Sequence, residues 1–336
     1  MARKKQKNRF ILTMLTFVVS ISLTASCTQY LKAPSTSSGK ASFGELQGKL
    51  PIFYAGSLTV PWGAVTGEYI KIYPGVEVLG EAGGSSVTIR KVTELHKECG
   101  VIGSADYKII PQLMFPEFAS WYIIFASNQI VICFTEKSKY GDEINADNWY
   151  QILQRQGVTY GRSDPDQDPC GYRTLMVWQL AEKYYNAAGL YNKLCGARGD
   201  MMRSKSVDLI ALLQSGDLDY AFEYDSVAKQ QNLRYISLPV KINLSSKEFE
   251  SYYAQARVSI KGAEPGETVN LAGEPILYAV TIPLNFHDQK LALSWVEFML
   301  GDRGIAAMES TGQGIIRPAV ASDKTKIPEA LRKYIK

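Results

Sequence analysis

Apolar residues in this chain come in short runs closed by small or turn-forming residues, and most runs are followed by a stretch with helical spacing. Leu50 to Ala55 (L-P-I-F-Y-A) ends in Gly56-Ser57 and leads into a helical stretch reaching about Ile72. Val76 to Leu79 is a second strand, after which Gly83-Gly84-Ser85-Ser86 opens a helix whose Ile89, Val92 and Leu95 share one face. Cys99 to Ala105 is a third buried strand. Strands alternating with helices predict a mainly parallel sheet flanked by helices, an α/β architecture.

Trp121 to Phe125 and Gln129 to Phe134 are β-prone runs separated by Ala126-Ser127-Asn128, and beyond them the order of elements starts again. Asn145 caps a helix carrying Trp149, Ile152 and Leu153, and Val158 to Gly161 is a strand. Ser163 to Arg173 (S-D-P-D-Q-D-P-C-G-Y-R) joins it to a helix with Leu175, Trp178, Ala181 and Tyr185 inward. Val207 to Gln214 reads as a helix stopped by Gly216, and Asp219 to Tyr224 as a strand with Glu223 near its end. A short helix (226–231) and an edge strand (235–238) follow. Residues 241–275 show weak periodicity and read as a partly helical excursion. Ile276 to Pro283 is a strand, Gln289 to Leu300 a helix, and a C-terminal helix is expected after Gly312-Gln313-Gly314. The pattern predicts two lobes with a cleft between them: 48–128 plus 278–336, and 129–277, hinged near 126–131 and 276–280.

Ligands of open α/β sheets sit at the carboxyl ends of strands, where helices begin. That rule gathers Ser57 and Ser85 from the first lobe with Asp168, the Cys170 and Gly171 amides and Glu223 from the second. Free N–H groups at helix starts suit an anion, yet Asp164, Asp166 and Asp168 crowd the same loop. A carboxylate repels a dianion unless the anion's central atom accepts a further oxygen.

Arg3, Lys4, Lys5, Lys7 and Arg9 precede a low-charge run from Phe10 to Leu23 and then Thr24-Ala25-Ser26-Cys27. This predicts a secretory signal over 1–27 with Cys27 as an acylated first residue, followed by a Ser/Thr/Gly-rich tether over 28–47. The formal net charge of +4 contains those five basic residues, and removing them leaves −1, which withdraws the case for nucleic acid. Cys99, Cys133, Cys170 and Cys195 allow three disulfide pairings, of which Cys170 with Cys195 is favoured because the two bracket one helix. With His96 and His287 the two histidines of the chain, a zinc site or a Ser-His or Cys-His hydrolase has few parts to work with.

The strings Y-A-G-S-L (54–58), G-G-S before I-R-K (83–91), S-A-D-Y (104–107), D-P-C-G-Y-R (168–173) and F-E-Y-x-S-V-A (222–228) together resemble the solute-binding proteins of ABC importers, within them the tungstate/molybdate-binding group. The resemblance covers most of residues 50–320 and implies a type II periplasmic-binding fold. It implies an oxyanion held between lobes by serine hydroxyls and backbone amides, at a site made of Gly56, Ser57, Ser85 or Ser86, Pro169, Cys170 and Gly171. Asp168 and Glu223 would complete a six-coordinate tungsten or molybdenum centre. The sequence departs from the group at Ser86, a second serine, and at Asp225, where a basic residue is expected. The implied protein is a monomeric, membrane-tethered lipoprotein outside the cell membrane that needs no cofactor and hands its anion to an ABC permease with ATPase subunits. Sulfate, phosphate or ferric ion in the same fold is the nearest alternative, though ferric ion would call for tyrosine pairs and histidine. A cleft enzyme using Asp168 and Glu223 as an acid/base pair is the most distant one.

Overall fold

The structure is a computed structural model that describes residues 46–262 and 266–336. The signal, Cys27 and nearly all of the tether lie outside the described residues.

Six strands form the first sheet: β1 (Gln47–Ala55), β2 (Gly75–Gly83), β3 (Val101–Ser104), β4 (Ile123–Asn128), β12 (Ile276–Thr281) and β13 (Gly314–Ala321), in the order β13-β4-β12-β3-β1-β2. Five form the second: β5 (Ile130–Phe134), β6 (Tyr160–Ser163), β7 (Asp200–Arg203), β8 (Tyr220–Tyr224) and β9 (Arg234–Ser237), in the order β7-β6-β8-β5-β9. The remaining pair, β10 (Arg257–Lys261) and β11 (Thr268–Ala272), is an antiparallel hairpin. Helices α1 (Thr59–Ile72), α2 (Ser85–Thr93), α3 (Ile109–Met114), α10 (Gln289–Leu300) and α11 (Asp302–Glu309) accompany the first sheet in the chain. The second is accompanied by α4 (Trp149–Ile152), α5 (Pro169–Tyr184), α6 (Leu190–Leu194), α7 (Leu209–Ser215) and α8 (Asp225–Gln230), with α9 (Glu250–Tyr253) ahead of the hairpin.

Both sheets are mixed, with most strands of each running one way. β1, β2, β3 and β4 run one way and β12 and β13 run against them; in the second sheet β6, β7, β8 and β9 run one way and β5 runs against them. The reason is directional: β4 leaves the first sheet at the cleft and runs straight on into β5, and a strand that enters a sheet from the cleft, as β5 and β12 do, travels against the strands whose carboxyl ends lie there. The excursion over 241–275 is partly helical, with a 3₁₀ turn over Lys247–Phe249 and then α9, and it also carries the β10–β11 hairpin, whose alternation of half-exposed residues gives no clean period. One expectation for the elements fails. The expected C-terminal helix is strand β13 followed by a 3₁₀ turn over Glu329–Tyr334. A register shift between Ile315 and Val320 breaks the two-residue alternation that would have announced the strand.

Helix α5 anchors the second lobe, buried on most sides from Pro169 to Ala181 around Trp178, with β6, β8 and β5 among its neighbours. In the first lobe Trp62 and Trp295 meet edge to face under β1 and β3. Each fully buried aromatic of this kind contributes about 2 to 3 kcal/mol relative to exposure, so each sheet rests on a firm apolar base and leaves its strand ends free for polar work. The four cysteines among the described residues are free thiols, so the favoured Cys170–Cys195 pair is not formed: Cys170 is buried in the first turn of α5 with its thiol against the Phe222 carbonyl, whereas Cys195 is half-buried at the end of α6.

Candidate functional site

Parallel register sets the geometry. In the first sheet Ala55 stands opposite Gly83 and Tyr54 opposite Gly103, so β1, β2 and β3 end side by side. The Gly56-Ser57 turn, the start of α2 and the Ala105-Asp106 loop therefore emerge together. In the second sheet Gly161 pairs with Ala221 and Ser163 with Arg203, which brings the Asp168 loop, a turn at Ser206 and Glu223 to one edge.

The two edges touch. A β-carbon on Gly84 would stand 2.2 Å from the Gln167 carbonyl oxygen, so only glycine lets the start of α2 approach the Asp168 loop this closely. From the other side, α5 reaches across: Tyr172 donates to Asp106, Arg173 Nη1 donates to the Ala105 carbonyl at 2.5 Å and to Tyr224 at 2.9 Å, and Nη2 lies 3.4 Å from Asp106 Oδ2. Breaking such a buried pair by removing one partner costs about 3 to 5 kcal/mol.

The first lobe supplies hydroxyls. Ser85 Oγ accepts from the Ala105 N–H at 3.0 Å, which leaves the Ser85 proton free to point elsewhere. Ser57 Oγ meets the Tyr278 hydroxyl at 3.0 Å. Ser86 Oγ is buried and has no hydrogen-bond partner among the described residues.

The second lobe supplies carboxylates. Asp168 is the N-cap of α5, with Pro169 at the position where a missing N–H costs nothing. Its oxygens accept from the Cys170 N–H at 3.3 Å and the Ser206 N–H at 2.8 Å. Burial raises its pKa above the usual value, and those two N–H donors oppose the rise. The Gly171 N–H donates to the Asp168 carbonyl at 2.9 Å, so the amides of Cys170 and Gly171 are both engaged within the cap. Gly171 has a packing reason as well, since a β-carbon there would meet the Ser163 carbonyl at 2.3 Å. The Cys170 thiol sits 3.6 Å from the Phe222 carbonyl, and burial keeps it protonated.

Glu223 is wholly buried. Its Oε2 accepts from the Tyr224 N–H at 2.7 Å, while Oε1 has no partner among the described residues. Burial pushes its pKa up from 4.5 to about 8; the Ser206 hydroxyl and the Tyr224 N–H pull it down and the Asp168 charge adds to the rise. A buried carboxyl held largely protonated at neutral pH, with one oxygen unpartnered, is a costly arrangement that packing alone does not require.

Sequence reasoning missed Ser206, Tyr278, Asn128, Asp106 and Arg173. Ser206 follows β7, a four-residue strand (D-M-M-R) without an apolar pattern, and Tyr278 hides in an apolar run. The string D-P-C-G-Y-R did contain Arg173, and its full burial inside a helix start is the signal that a charge is needed there. His96 and His287 are exposed and take no part.

Residues 50–313 match the family model described as bacterial extracellular solute-binding protein. A solute-binding protein of Petrotoga mobilis is 47% identical over 295 residues, covering 87% of this chain and 91% of that protein. The molybdate/tungstate-binding protein WtpA of Pyrococcus abyssi is 39% identical over 321 residues, 88% of this chain and 92% of that protein. Among solved structures, the periplasmic molybdate-binding protein of Azotobacter vinelandii aligns over 80% of this chain and all of its own with a TM-score of 0.57 at 18% identity. The sulfate-binding protein of Mycobacterium tuberculosis aligns over 79% of this chain and 86% of its own with a TM-score of 0.58 at 13% identity. At such identities the two structures speak to the fold, the two-lobed periplasmic-binding fold with mixed sheets, and not to the ligand. Among the described residues no helix is long and apolar enough to cross a membrane. The chain belongs to the family of bacterial extracellular solute-binding proteins.

Proposed function

We propose that this protein captures tungstate or molybdate in the cleft between its lobes and delivers the anion to an ABC permease, as a monomer tethered outside the cell membrane through a lipid on Cys27. Ser57, Ser85 and Ser86 donate to the anion's oxygens, and Asp168 and Glu223 each turn an oxygen to the metal. The observation that carries this reading is the pairing of opposite orphans: a hydroxyl on Ser86 and a carboxylate oxygen on Glu223, both buried and both without a partner among the described residues. Molybdate or tungstate satisfies both, its oxygens accepting from Ser86 and its metal taking the Glu223 oxygen. Sulfate satisfies the hydroxyls alone, because its sulfur takes no further oxygen, whereas Mo(VI) and W(VI) expand their coordination readily.

The molybdate/tungstate-binding relative supports this choice of ligand. A capture site, not a catalytic one, also fits the surface positions of both histidines, which leave the carboxylates without a base or nucleophile partner. Calorimetric titration of the purified protein with tungstate, molybdate and sulfate tests the proposal. Tight binding of the first two and weak or undetectable binding of sulfate is expected; equal affinity for all three would contradict it.

A further inference from the structure

Three residues behind Ser57 fix which way its proton points. Asn128 ends β4 at the crossing between lobes, and its Oδ1 accepts from the Gln129 N–H at 3.0 Å and from the Ser226 N–H at 3.3 Å. Two backbone donors on one side settle the orientation of the amide, so Nδ2 is on the other side. From there Nδ2 donates to Ser226 Oγ at 2.7 Å and to the Tyr278 hydroxyl at 3.2 Å. Tyr278 is fully buried, and its hydroxyl proton must find an acceptor. Because its oxygen already accepts from Asn128, the proton goes to Ser57 Oγ, 3.0 Å away. The reverse assignment, Ser57 donating to Tyr278, would strand the tyrosine proton with no recorded acceptor among the described residues.

We propose that Asn128 and Tyr278 form a positioning relay that commits the Ser57 hydroxyl to donate into the cleft, making it a fixed donor for an oxyanion. Neither residue touches the ligand; both act through Ser57. A serine left to itself offers a proton or a lone pair with equal ease, and reorienting it on binding would cost affinity. With its lone pair occupied by Tyr278, Ser57 presents a proton before the ligand arrives. Ser85 is set the same way by the Ala105 N–H, so one tyrosine and one backbone amide do equivalent work on adjacent strand ends. Burial holds the Tyr278 pKa well above the usual value, so the relay keeps its proton throughout the physiological range. The relay also spans the crossing, since Ser226 belongs to the second lobe, and it ties the donor on one lobe to the segment about which the lobes move.

The inference rests on the reading of Ser57 as a ligand contact, and a double-mutant cycle separates the two. Tungstate affinity is measured for the unsubstituted protein, Tyr278→Phe, Ser57→Ala and the double variant, with thermal melting of each ligand-free protein as a check on folding. Tyr278→Phe keeps the ring that packs against Tyr224 and removes only the hydroxyl. Expected losses are about fivefold for Tyr278→Phe and about tenfold for Ser57→Ala, with the double variant no weaker than Ser57→Ala alone. Additive losses would mean that Tyr278 acts by packing, and would overturn the relay while leaving the proposed function in place. An unchanged affinity in Tyr278→Phe would do the same. Failure of the unsubstituted protein to bind tungstate would instead overturn the functional reading, and the relay with it.

Discussion

The two edges of the cleft are built from the same structural device and carry opposite chemistry. On each, three parallel strands end together and hand their termini to a turn or a helix start. On the first lobe those positions hold Ser57, Ser85 and Ser86, hydroxyls whose lone pairs are occupied from behind or whose whole group is unpartnered. On the second they hold Asp168 and Glu223, whose oxygens are the complementary acceptors. A site made only of the first kind would bind any tetrahedral dianion. The second kind makes every dianion bind at a cost, repulsion where the carboxyl is ionised and loss of its proton where it is not, and returns the loss only to one whose centre accepts oxygen. On the function proposed above, affinity and selectivity belong to different lobes, and selectivity is read only when both lobes meet the anion.

The largest effect that would break this division comes from the carboxylates. Asp168→Ala or Glu223→Ala is expected to weaken tungstate binding on the order of a hundredfold, about 3 kcal/mol, while sulfate binding holds or improves. Paired calorimetric titrations give the ratio; a ratio untouched by both substitutions would mean that the carboxylates are structural caps.

The next effect concerns Glu223 in the ligand-free protein. Its folded-state carboxyl keeps a proton from 4.5 up to about 8, so the folded chain binds more protons than the unfolded one across that window. Stability is therefore fully present below the unfolded value, falls as pH rises, and levels off once the folded value is passed. A loss on the order of 2 kcal/mol or more between pH 5 and 8 is expected, absent in Glu223→Gln. Denaturant titrations at several pH values provide the check, and an identical slope in the variant would show that Glu223 is hydrated and ionised.

The smallest effect tests closure. Gly84→Ala introduces a β-carbon 2.2 Å from Gln167 at a backbone conformation that alanine tolerates, since the φ of Gly84 is −63°. The wedge should hold the lobes apart and weaken tungstate, molybdate and sulfate alike by about tenfold, about 1.4 kcal/mol, with little change in melting temperature of the ligand-free protein. Small-angle scattering should then show a smaller compaction on tungstate addition than in the parent; selective loss of one anion would place Gly84 in the recognition surface instead.

What the sequence made legible follows a physical divide. Asp168 was readable because a capping carboxylate before Pro169 is a local rule, and Ser57 and Ser85 because strand-to-helix turns announce themselves by small residues after apolar runs. Glu223 was readable as the polar residue that interrupts D-Y-A-F-E-Y. Ser206, Asn128 and Tyr278 owe their places to pairings between distant strands, and no local pattern records those: Asn128 passes for a turn residue and Tyr278 for core. The antiparallel entry of β5, β12 and β13 was hidden for the same reason, since alternation of strands and helices says nothing about the direction in which a crossing segment joins a sheet.

The central claim is that the second lobe recognises the metal and not the oxyanion's outer oxygens. X-ray absorption at the tungsten edge of the tungstate-loaded protein counts the oxygens around the metal directly. Six oxygen neighbours, falling toward five in Glu223→Ala, is the predicted result. Four neighbours at tetrahedral distances in the parent protein would contradict the account and leave an oxyanion held by hydrogen bonds alone.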